Sequence, residues 1–73
     1  MRPISEETIK YLKEGFPKGC RVELIQMDDP QAPPVGTLGT VKCVDSLGTI
    51  HVNWDNGSGL GIAWGADECR RID

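Results

Sequence analysis

Thr49-Ile50-His51-Val52-Asn53-Trp54-Asp55-Asn56-Gly57 carries two structural signals in one run. Ile50, Val52 and Trp54 alternate with Thr49, His51 and Asn53, and a period of two suits a half-buried β-strand, not one face of a helix. Asp55-Asn56-Gly57 then predicts a tight hairpin, because Asn-Gly accepts the positive φ angles of a type I′ turn. A strand that ends in a hairpin needs partners, and both flanks supply them.

Upstream, Gly39-Thr40-Val41-Lys42-Cys43-Val44 reads as a strand, joined to the first by an Asp45-Ser46-Leu47-Gly48 turn. Downstream, Gly59-Leu60-Gly61-Ile62-Ala63-Trp64 alternates again. Gly65-Ala66-Asp67-Glu68 reads as a turn or a single 3₁₀ turn, and Cys69-Arg70-Arg71-Ile72 as a last short strand. An earlier strand covers residues 20–27, with Val22 and Leu24 on one face and Glu23 on the other. Between it and Gly39, the prolines at 30, 33 and 34 and Gly36 preclude a central strand. A loop of this length in so small a domain is expected to be functional or mobile.

The first element is helical. Ser5 can cap it, Glu6 and Glu7 suit the positive end of the helix dipole, and Ile9, Leu12 and Phe16 form one stripe. Ile4 and Ile9 stand where a hydrophobic staple would place them, and Gly15 and Pro17 end the helix. The expected fold is therefore mainly β: a small SH3-like five-stranded barrel with a short N-terminal α-helix. Residues 1–18 form the helix and linker and 19–73 the barrel, one domain overall. Val22, Leu24, Val41, Ile50, Val52 and Trp54 are expected to fill the interior. A four-stranded open sheet capped by the helix is the alternative architecture.

With 73 residues the chain has room for one modest core and no large enclosed active site. Its 38% hydrophobic and 26% charged residues suggest neither disorder nor a membrane class. No apolar run is long enough to span a bilayer, and Met1 to Ile4 leads straight into Ser5-Glu6-Glu7 without a signal-peptide core, so a cytoplasmic location is expected. Eight Lys and Arg against eleven Asp and Glu give a net charge of −3, with no basic cluster to displace counterions from nucleic acid. Cys20, Cys43 and Cys69 fit neither a disulfide framework nor paired zinc ligands. They are expected to be reduced and mostly buried.

Pro17-Lys18-Gly19, Arg21-Val22-Glu23-Leu24, Met27-Asp28-Asp29-Pro30, Gly39-Thr40-Val41, Val44-Asp45, Gly48, Ile50-His51-Val52 and Trp54-Asp55-Asn56-Gly57, with Leu60 and Gly65, form an ordered string. That string resembles a family of small uncharacterised domains of unknown function found in bacteria, phages and mobile elements. The resemblance implies a small barrel in a phage or mobile-element setting and brings no assigned activity. More distantly, Gly19, Arg21 and Val22, then Gly39-Thr40-Val41, Val52 with Trp54-Asp55-Asn56-Gly57, and Arg71-Ile72 resemble the Mib-Herc2 domains of ubiquitin ligases. Those domains are SH3-like peptide-binding modules. This chain departs from them in a shorter middle loop and in having Gly59, Leu60 and Gly61 where they have a tyrosine.

Trp54 is expected in the core, with Asp55, Asn56 and Gly57 shaping the turn. Trp64 lies at a strand end, where an indole either plugs the barrel or lines a groove. Asp28 and Asp29 open the long loop and suit a basic peptide; a hard metal needs several convergent oxygens, and none is predicted. His51 faces away from the core, and no nucleophile stands at a spacing that would make it catalytic. Arg70 and Arg71 either guard a sheet edge or hold a phosphate or carboxylate. These residues point to a non-enzymatic module, without cofactor, that recognises a protein segment through a groove beside the 28–38 loop. Sequestration of a nucleotide-type ligand is the alternative, with Trp64 stacking on the base and Arg70 and Arg71 on phosphate. Nucleic-acid binding ranks below both.

Overall fold

Ser5 opens the first helix: its hydroxyl accepts the Thr8 N–H at 3.1 Å, satisfying one of the free amides of the first turn. The computed structural model describes residues 4–73, so the first three residues of the predicted N-terminal segment lie outside the described residues. Helix α1 runs Glu6–Gly15 and ends where the Phe16 N–H returns to Leu12 O, one residue before Pro17. Five strands follow: β1 (Arg21–Gln26), β2 (Leu38–Val44), β3 (Thr49–Trp54), β4 (Ile62–Ala63) and β5 (Glu68–Arg71).

The strands form one antiparallel sheet in the order β4-β3-β2-β1-β5. The sheet is not closed. β4 and β5 are its edges, and a single bridge, Trp64 to Asp67, connects the segments that lead out of one and into the other. All six residues expected inside are buried, joined by Leu12 of α1, Cys20, Val44 and Ile62. Fully burying a leucine contributes about 1.5–3 kcal/mol, so Leu12 fixes the helix on the sheet in a way that its short length alone could not.

Three local features depart from the sequence reading. Val41 pairs with Val52 and Cys43 with His51, so Lys42 and Cys43 together oppose one residue of β3. This bulge turns Cys43 outward, where strict alternation had placed it inside, and returns Val44 to the core. The expected strand at 59–64 shrinks to Ile62–Ala63, because the Leu60 carbonyl leaves the ladder to accept the Trp54 indole N–H at 2.7 Å. The hairpin after β3 is not type I′ either. Only Gly57 has a positive φ, 93°, and Trp54 N–H donates to Ser58 O across a three-residue loop.

The long β1–β2 connection is held by its own bonds. Gly36 N–H donates to Leu24 O at 2.8 Å, Leu24 N–H to Thr37 O at 2.9 Å, and Thr37 binds Pro34 O through both its N–H and its hydroxyl. Pro33, within the connection, is buried.

Candidate functional site

The turn between β4 and β5 is locked from three directions. Ala66 and Asp67 both donate their N–H to Ala63 O, at 3.0 and 2.8 Å, and the Asp67 carboxylate accepts the Ala63 N–H at 3.0 Å. Trp64 is held in that turn with 46% of its surface exposed. Across from it, α1 points Leu12 into the core, which carries its neighbour Tyr11 to the helix rim. The two rings meet edge to face, with centroids 6.2 Å apart and planes at 60°.

Together they border a groove of about 670 Å³, with Phe16 and Ile25 supplying further apolar surface and Gln26, Glu68, Cys69 and Arg70 completing the lining. Its charge is acidic on balance. Asp67 and Glu68 line it together with Arg70, but Arg70 is already bound to Glu23 through Nε at 2.8 Å and a terminal nitrogen at 2.7 Å. Burial, with smaller effects of Cys20 and Glu68, pushes the Cys69 thiol up to about 11. It stays protonated at neutral pH and is a poor nucleophile. Among the described residues, no group of three His, Cys, Asp or Glu side chains is arranged to hold a metal ion.

The sequence-predicted site residues are dispersed. Trp64 and Arg70 line the groove. Arg71 follows Arg70 on the opposite face of β5, where it binds Asp73 at 2.8 Å and reaches Gly15 O at 3.5 Å. The two arginines therefore do not form one phosphate site. Asp28 and Asp29 do not line the groove, and Asp29 accepts the Gln31 N–H within its own loop at 2.8 Å. His51 Nε2 lies 2.8 Å from Asp45, which also accepts the Leu47 and Thr49 N–H groups. These bonds, that to His51 foremost, hold the Asp45 carboxyl below its ordinary range.

The residues of the Trp-Asp-Asn-Gly motif are engaged within the fold. Trp54 is buried, Asn56 accepts the Ser58 N–H, and Asp55 forms a two-point pair with Arg21. Tyr11, Phe16, Ile25 and Glu68 are groove residues that the sequence reading missed. Only Tyr11 left a signal, as an aromatic lying off the Ile9, Leu12, Phe16 stripe.

Fold and geometry thus define a small antiparallel β domain, helix-capped, with an aromatic groove. Residues 5–72 match the family described as domain of unknown function DUF4314, and the chain belongs to that family. No curated protein and no solved structure gives a significant match.

Proposed function

We propose that this chain is a non-enzymatic binding module of SH3-like architecture that takes a segment of another protein into the groove between α1 and the Trp64–Asp67 turn. The observation that carries the reading is the half-exposed Trp64 packed edge to face with the exposed Tyr11 in a groove that Phe16 and Ile25 also line. Paired aromatics beside an apolar hollow are the side chains that dominate binding when a partner covers them.

The acidic balance left by Asp67 and Glu68, once Glu23 has neutralised Arg70, selects a segment with basic as well as apolar side chains. The strand order, with β5 beside β1 at one edge and β4 at the other, supports the SH3-like reading. So does the long β1–β2 loop, together with the one-turn link between the edges. Unlike the groove expected from the sequence, this one is walled by the helix and not by the 28–38 loop. The non-enzymatic reading is supported by a neutral Cys69 and by a His51 that is tied to Asp45 outside the groove.

Selection from a random peptide library on the wild-type chain tests the proposal. The expected outcome is enrichment of peptides with apolar and basic residues that no longer bind Trp64→Ala, with that variant still folded by circular dichroism. Peptides that bind wild type and Trp64→Ala equally would contradict it.

A further inference from the structure

Strand β5 offers backbone as well as side chains. Leu24 sends its N–H to Thr37 O and takes the Gly36 N–H on its carbonyl, so neither group is directed at Cys69, its partner on β5. One end of the ladder agrees: Ile72 N–H donates to Arg21 O at 3.0 Å. In an antiparallel pair the residues that exchange bonds alternate with residues that do not. Ile72 and Arg70 therefore bond toward β1, whereas the N–H and C=O of Cys69 and Arg71 face the open side. Outside the ladder with β1, these groups make no backbone hydrogen bond among the described residues. No strand lies beyond β5 in the sheet order.

Exposed edges are commonly protected by charge. Here Arg70 is paired with Glu23 and Arg71 with Asp73, so neither stands as an unpaired cation on the edge. The same edge borders the groove, since Glu68, Cys69 and Arg70 belong to its lining.

We propose that the ligand is an extended protein segment that adds to the sheet as a strand alongside β5, bonded to the backbone of Cys69 and Arg71. The inference rests on the binding reading above and specifies its mode. A strand in that position presents alternate side chains to alternate faces. Those on the Cys69 side lie toward Phe16, which packs against the same core as Cys69, and are apolar. Those on the other side meet Glu68, which has no partner of its own among the described residues, and are basic. A second copy of this chain is a poorer occupant. It would bring Glu68-Cys69-Arg70-Arg71, whose largest apolar group is a cysteine, and would leave the groove unfilled.

The probe is a short synthetic peptide alternating lysine with valine and leucine, made also with backbone N-methyl groups on one edge or on the other. Binding is followed by NMR with hydrogen exchange on the full chain. The expected result is saturable binding with slowed exchange at the Cys69 and Arg71 amides. Methylation of one edge weakens it about tenfold or more, as loss of one or two hydrogen bonds requires, and methylation of the other edge is tolerated. Equal binding of both methylated forms, still abolished by Trp64→Ala, overturns strand addition and leaves the groove reading standing. No binding by any form overturns both. Slow exchange at Cys69 and Arg71 without peptide, in a chain that sediments as a dimer, assigns the edge to a second copy and overturns the proposal.

Discussion

The guanidinium of Arg21 grips the Asp55 carboxylate through two N–H···O bonds, at 2.9 and 2.5 Å, and joins the start of β1 to the turn after β3. The same guanidinium reaches the Thr40 hydroxyl at 2.9 Å on the strand between them. Two short motifs far apart in sequence, Gly-x-Arg-Val and Trp-Asp-Asn-Gly, thus become one clasp across three strands. Both side chains are solvent-accessible, so the pair fixes geometry more than it adds free energy. In a urea double-mutant cycle, Arg21→Gln and Asp55→Asn are expected to show a small favourable coupling that fades with added salt. A coupling that survives high salt unchanged would show that the pair is not screened as its exposure requires.

Asp45 sets an acid limit on the turn between β2 and β3. Its folded pKa is depressed, chiefly by His51 and then by the Thr49 and Leu47 amides, so its contribution is complete above the unfolded value. That contribution is lost as pH falls through the folded value. Urea midpoints between about pH 5 and pH 2 are expected to fall more steeply for wild type than for Asp45→Asn. The variant should be the less stable of the two at neutral pH. Parallel pH profiles would contradict this.

Two glycines are constrained for different reasons, and one substitution separates them. A Cβ on Gly39 would stand 2.5 Å from Val52 Cγ1 and 2.8 Å from Trp54 Cε3, so Gly39→Ala forces the core apart. Overpacking of this kind costs about 1–3 kcal/mol. Gly57 has open space around its Cβ position but a φ of 93°, so Gly57→Ala costs about 1 kcal/mol in backbone conformation. Chemical denaturation is expected to rank Gly39→Ala as the more damaging.

The cysteines should differ in reactivity. Cys20 is buried with its pKa raised by that burial, Cys69 is pushed up to about 11, and Cys43 stands exposed beside the β2 bulge. Brief alkylation of the native chain near pH 8, read by peptide mass spectrometry, is expected to label Cys43 first. Preferential labelling of Cys69 would contradict the buried, neutral thiol described for the groove wall.

How much of this was legible in the sequence follows from what local patterns can encode. Alternation through Val22-Leu24 and Ile50-Val52-Trp54 located β1 and β3 because their side chains divide cleanly between core and solvent. It failed at Cys43, since a bulge inserts a residue without changing composition, and at 59–61, where a buried indole captures a carbonyl. The groove was the harder inference. Trp64 was visible as an aromatic at a strand end, but Tyr11 and Phe16 reach it only because Leu12 anchors the helix on the sheet. That is a tertiary contact with no period of its own. Arg70 and Arg71 read as a cationic pair, yet strand geometry sends them to opposite faces and Glu23 and Asp73 neutralise them.

The central claim is that the Trp64–Tyr11 groove is where a partner binds. Backbone and indole NMR shifts, recorded while a library-selected peptide is titrated into the wild-type chain, test it most directly. The expected result is a set of shifts at Tyr11, Phe16, Ile25, the Trp64 indole and residues 66–70, with the buried Trp54 indole unmoved. Shifts confined to residues 28–37, or to the Arg21–Asp55 face of the sheet, would contradict it.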